Sequence, residues 1–176
     1  MFSSTAKVTF LGFENAKNYL EKTKTIFSGN PILLSKTQDI ELKKSPELAT
    51  ILIFGGSQGS KFLNDKIKIL AEDKKLNFAN IVWIVGEKNY DSLKHLDGKN
   101  ITIMHYCNKM SSLYQEVDLV VSRSGAMTIA ELIHFKKPSI LVPFKFSAEN
   151  HQYHNAKYLQ DKLCSSLIEE DSSWQQ

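Results

Sequence analysis

Gly55-Gly56-Ser57-Gln58-Gly59-Ser60 stands between the apolar run Thr50-Ile51-Leu52-Ile53 and a segment whose apolar residues, Phe62, Leu63, Ile67 and Leu70, recur at helical spacing. A β-branched run followed by that period places the glycines at a strand-to-helix turn of a parallel sheet. The first turn of a helix has backbone N–H groups without helical partners and carries about half a positive charge, and glycines let an anion approach the backbone. Phosphate binding is the chemistry expected, with Gly56, Ser57, Gln58 and Gly59 in contact and the Ser57 hydroxyl as a further donor. A tight turn whose glycines serve only helix–sheet packing is the plainer alternative. The order Gly59-Ser60-Lys61 does not fit a Walker A loop, and Gly55 to Ser60 does not fit the dinucleotide fingerprint G-x-G-x-x-G.

A second Gly/Ser loop, Ser122-Arg123-Ser124-Gly125-Ala126, also opens a helical pattern. Glu131 lies about one and a half turns into that helix, where a carboxylate can accept both hydroxyls of a ribose. Backbone groups of Tyr106-Cys107-Asn108 are candidates for a base edge, and Asn150, His151 and Gln152 for a sugar. Each of these residue types also occurs as an ordinary helix cap or surface group.

The elements that position these residues alternate without a break from Ala49. The spacing predicts strands at 49–54, 80–85, 101–105, 118–122, 139–142 and 165–168, and helices at 60–74, 109–115, 126–135 and 150–162. Such βα repetition makes an α/β fold, a Rossmann-like doubly wound parallel sheet with right-handed crossovers. In strand order 3-2-1-4-5-6, strands one and four meet at the switch point, so both Gly/Ser loops face one crevice. Two helix starts aimed at one place suit a diphosphate. Before Ala49, residues 7 to 30 read as strand, helix (Glu14 to Lys22) and strand, and residues 34–48 as a polar linker or surface excursion.

The 176 residues are 42% hydrophobic and 23% charged, which is a globular composition. The net charge of +3 is too balanced, and the lysines too scattered, to support a nucleic-acid partner. No apolar run approaches the roughly 20 residues of a membrane span. Met1 to Lys7 lack a basic and then a long apolar stretch, so no secretory signal is read and a cytoplasmic location is expected. Cys107 and Cys164 stand apart, and the His151/His154 pair has no supporting carboxylate or thiolate, so neither a metal nor another cofactor is expected.

The motifs Gly55-Gly56-Ser57-Gln58-Gly59, Asp118 to Glu131, Pro138, Pro143 and Asn150-His151-Gln152 with Asn155-Ala156, in that order, resemble the C-terminal domain of the MurG-type glycosyltransferases. The resemblance covers about residues 7 to 168. It implies the C-terminal half of a GT-B glycosyltransferase. That family serves peptidoglycan and cell-wall synthesis. It moves N-acetylglucosamine (GlcNAc) from UDP-GlcNAc to undecaprenyl-pyrophosphoryl-MurNAc-pentapeptide, converting lipid I to lipid II, at the cytoplasmic face of the inner membrane as peripheral proteins. The implied reaction is an inverting transfer without a metal, and no Asp-x-Asp pair is present to hold one.

Carried over by position, Ser57 matches the donor-phosphate contact and Cys107 the backbone that holds uracil. Ala126, Met127, Thr128, Ile129 and Ala130 match the helix start at the diphosphate, with Ser124 and Gly125 of the preceding loop counted in the nucleotide-sugar site, Glu131 matches the ribose acid and Gln152 the reader of GlcNAc hydroxyls. No catalytic base is assigned. Leu33 stands where the family has an arginine near the nucleotide. By this resemblance residues 1–33 are a remnant of the N-terminal acceptor domain with the crossover, 34–48 a linker and 49–176 a donor domain shortened at its end. The lipid-linked acceptor is then reached only through a missing N-terminal domain or a partner chain, and the chain is expected to be inactive alone. A subunit of a split UDP-GlcNAc transferase, a non-enzymatic UDP-sugar-binding module and a dinucleotide enzyme remain as alternatives.

Overall fold

The computed structural model describes residues 6–20, 24–34, 40–161 and 164–170. Lys22, Lys162 and parts of the expected N-terminal, linker and C-terminal segments lie outside them. The chain divides into two compact units on either side of the Leu33–Leu34 bond.

The first unit is a two-stranded parallel sheet of β1 (Thr9–Leu11) and β2 (Thr25–Phe27), in register Thr9 to Thr25. The expected helix between them is a 3-10 turn, Glu14–Tyr19, whose N-cap residue Phe13 supplies no side-chain cap. Leu11 is buried, whereas Phe10 and Phe27 are 67% and 56% exposed, so this unit leaves much of its apolar surface uncovered.

The second unit holds β3 (Thr50–Phe54), α1 (Lys61–Glu72), β4 (Asn80–Ile84), α2 (Glu87–Leu93), β5 (Ile101–Met104), α3 (Met110–Glu116), β6 (Leu119–Ser122), α4 (Ala126–Phe135), β7 (Ser139–Leu141), α5 (His151–Gln160) and β8 (Ser165–Leu167). All six strands are parallel, in spatial order β5-β4-β3-β6-β7-β8, which is 3-2-1-4-5-6 within the unit. The expected topology is therefore observed. β4 is buried along its whole length, as an interior strand of a parallel sheet covered on both faces is. Trp83 is fully enclosed, and its indole N–H donates to Asn64 Oδ1 at 3.1 Å, while Asn64 Nδ2 donates to the Val85 carbonyl at 2.8 Å. The buried amide thus satisfies α1 and β4 together.

Helix α2 was not expected. Its apolar positions are only Tyr90 and Leu93, too few to show a helical period, although Gly86 in a positive-φ conformation and Glu87 in the first turn mark its start. Residues 40–48 run along the second unit and are tied to it. Asn80 accepts from the Ser45 amide at 2.8 Å and donates to the Ser45 and Leu48 carbonyls, and Lys44 bonds Glu116 at 2.8 Å.

Candidate functional site

β3 and β6 are neighbours with Phe54 opposite Ser122, so their following loops leave the sheet at the same level. Between those loops lies a cavity of about 520 Å³ lined by Phe54, Gly56, Ser57, Ile84, Tyr106, Cys107, Met110, Gly125, Ala126, Met127, Thr128 and Glu131. A volume of this size holds a ligand of nucleotide dimensions, and its place outside the carboxyl ends of strands at a switch point is where doubly wound sheets bind ligands.

The cavity brings together Gly56, Ser57, Cys107, Gly125, Ala126, Met127, Thr128 and Glu131 from the expected set. Gln58, Gly59, Ser124, Ile129, Ala130 and Gln152 are not among its lining residues. Gly59 is turned against the sheet: a Cβ there would stand 2.5 Å from the Val85 carbonyl oxygen. Packing therefore explains this glycine. Gly56, with φ +88° and nothing within 4 Å of an added Cβ, is the glycine that opens onto the cavity. Ile129 is fully buried beneath α4, and Ser124 donates to the Gln152 carbonyl at 2.7 Å.

Two helix starts were expected to face one crevice, and only that of α4 lines the cavity. At the start of α1, Ser60 Oγ accepts from the Leu63 amide at 3.4 Å and from Arg123 Nε at 3.1 Å. α4 begins after Gly125, which has no side chain to cap it, and Gly125 to Thr128 line the cavity.

Glu131 is the acid of the site. The hydroxyl of Tyr114 donates to its Oε2 at 2.9 Å, and Tyr114 is fully buried, stacked on Phe135 at 5.2 Å between ring centroids. One carboxylate oxygen is thereby held, and Glu131 is also among the residues that line the cavity. Burial raises the Glu131 carboxyl above its ordinary value, with the Tyr114 hydrogen bond acting in the opposite direction. Burial first, and then the Glu131 charge, push the Tyr114 phenol far upward, so it stays a donor. Desolvation likewise raises the half-buried Cys107 thiol, whose sulfur accepts from the Lys109 amide at 3.3 Å.

Sequence reasoning missed Tyr114 and Arg123. Nothing near Tyr114 announces a partner on another helix, but Arg123 was visible as a lone charge in Val120-Val-Ser-Arg-Ser124, where an ionised side chain must be paired if buried. It is buried, and it donates to the Val142 and Pro143 carbonyls and to Glu170. Leu33, at the position of the family arginine, is 87% exposed. Among the described residues no cluster of three or more His, Cys, Asp or Glu side chains is placed to hold a metal, and no helix is long and apolar enough to cross a membrane.

Sheet order and cavity position define a Rossmann-like unit of the kind that forms the C-terminal half of GT-B glycosyltransferases. Residues 50–174 match the model of the glycosyltransferase family 28 C-terminal domain, and the chain belongs to that family. It is 46% identical over 130 residues to the UDP-N-acetylglucosamine–N-acetylmuramyl-(pentapeptide) pyrophosphoryl-undecaprenol N-acetylglucosamine transferase of Elusimicrobium minutum, covering 72% of this chain and 36% of the relative. The transferase of the same name from Sulfurihydrogenibium sp. is 35% identical over 176 residues, covering 97% of this chain and 48% of that one. Among solved structures, Acinetobacter baumannii MurG superposes with a TM-score of 0.72 at 26% identity, over 97% of this chain and 49% of that chain. The chain thus spans half or less of the length of these relatives.

Proposed function

We propose that this chain is the donor-binding half of a transferase that moves GlcNAc from UDP-GlcNAc to undecaprenyl-pyrophosphoryl-MurNAc-pentapeptide. One observation carries the reading: a nucleotide-sized cavity joins the Gly56-Ser57 loop, the start of α4 and a Glu131 carboxylate preset by Tyr114. Uracil lies against the backbone at Cys107, the ribose hydroxyls donate to Glu131, and the diphosphate lies at the first turn of α4 with the Ser57 hydroxyl. Gln152, on the far side of the α4 start, reads the sugar. The acceptor hydroxyl then displaces UDP from the anomeric carbon with inversion. The partial positive charge at the start of α4 stabilises the leaving diphosphate, an aimed dipole of the sort that lowers such barriers by several kcal/mol. The relatives' names and the family membership support the choice of donor and acceptor.

Residues 1–33 are the remnant of an acceptor domain in this reading, and the lipid-linked acceptor is held by a half that this chain does not include. The work is cytoplasmic, at the membrane surface. The test is a transfer assay with labelled UDP-GlcNAc and lipid I, using the chain alone and with the N-terminal half of one of the named relatives as a separate polypeptide. No transfer alone and transfer with both is the expected result. Tight UDP-GlcNAc binding without transfer in the reconstituted pair would instead support a non-enzymatic UDP-sugar module.

A further inference from the structure

We propose that Arg123 and Glu170 form a latch that sets the loop between β7 and α5 and, through that loop, the recognition of the sugar of the donor. The inference rests on the reading of the chain as a UDP-GlcNAc-binding half. The pair is enclosed: Arg123 Nη1 meets Glu170 Oε2 at 2.8 Å, with side chains 8% and 14% exposed. The same Nη1 donates to the carbonyls of Val142 at 3.1 Å and Pro143 at 3.0 Å. The guanidinium lies between rings, 5.7 Å from the centroid of Phe62 and 5.4 Å from that of Phe144. Glu170 Oε2 also accepts from the Lys145 amide at 3.2 Å. Four consecutive residues, Val142 to Lys145, are therefore fixed by two charged side chains that reach them from β6 and from the segment after β8.

The loop that starts there leads into α5, whose second residue is Gln152. The Phe144 amide donates to Gln152 Oε1 at 3.0 Å, which commits the side-chain carbonyl and presents the NH2 group as a donor to a sugar oxygen. The latch holds Phe144, and Phe144 holds Gln152. A second cavity of about 400 Å³, lined by Pro143, Lys145, Asn150, Tyr153, Glu169 and Glu170, gives the loop room to shift once the carboxylate is removed. Glu170 is not among the residues lining the nucleotide cavity. Its action is thus one of positioning, and it separates sugar from nucleotide.

The test is titration of the full chain with UDP and with UDP-GlcNAc, for wild type, Glu170→Ala and Glu170→Gln. Loss of the carboxylate leaves a buried guanidinium short of its partner, so Glu170→Ala should weaken UDP-GlcNAc relative to UDP on the order of tenfold. Glu170→Gln keeps an acceptor for Arg123 and for the Lys145 amide, and should hold the ratio within about threefold of wild type. An unmoved ratio in Glu170→Ala, or an equal fall for both ligands, would overturn the latch. Amide hydrogen exchange checks the fold of that variant: faster exchange at Phe144 and Lys145 with unchanged β3 and β6 supports a local latch, and uniformly faster exchange refutes it. Failure of the wild-type chain to bind either ligand is a separate outcome that removes the donor-half reading itself.

Discussion

Glu131 carries a penalty in the free chain that a bound ribose would relieve. Burial raises its carboxyl in the folded chain above the ordinary 4.5, so as pH rises the unfolded chain gives up this proton first. The penalty to folding therefore begins near the unfolded value and is complete above the raised folded one. Glu131→Gln keeps an acceptor for the Tyr114 hydroxyl and removes the charge. We expect it to melt higher than wild type at pH 7, with the difference shrinking as pH falls and vanishing below about 4, where both states are protonated. At pH 7 it should bind UDP about tenfold more weakly, since an amide NH2 cannot accept from a ribose hydroxyl. Melting curves across that pH range and a UDP titration check both halves. Residue types and spacing were enough to select Glu131 and Ser57. They could not supply Tyr114, because its partner is 17 residues away on another helix and the pairing exists only once both are packed.

Among the elements, the loop after β3 separates two uses of glycine that look alike in a sequence. Gly56 and Gly59 both have positive φ, +88° and +75°, yet only Gly59 is pressed against other backbone, that of Val85 and Gly86 just after β4. Gly56→Ala should cost about 1–2 kcal/mol, the strain of placing an L side chain in that region. Gly59→Ala should cost more, because its Cβ would sit 2.5 Å from the Val85 oxygen and the β3 turn or the end of β4 must move. Urea unfolding of the two variants would show the order, and equal losses would contradict it. The strands were legible because six apolar runs bounded by turn residues leave little choice of period. α2 was not, since a short helix with two apolar positions has no period to read. That the start of α1 stays out of the cavity lining was illegible for a related reason: Ser60 looks like any N-cap until Arg123 is seen to bond it.

At the scale of the whole chain, family membership and sheet order agree on a C-terminal half, while the relatives are about twice as long or more. Binding the donor and completing the transfer are then separate properties, and the cavity of the second unit concerns only the first. The direct measurement is calorimetric titration of the purified chain with UDP-GlcNAc, UDP and NAD, without added metal, alongside a circular-dichroism spectrum. Binding of the two uridine ligands and none of NAD is the predicted result. A folded chain that binds no uridine ligand, or one that binds NAD in their place, would contradict the account.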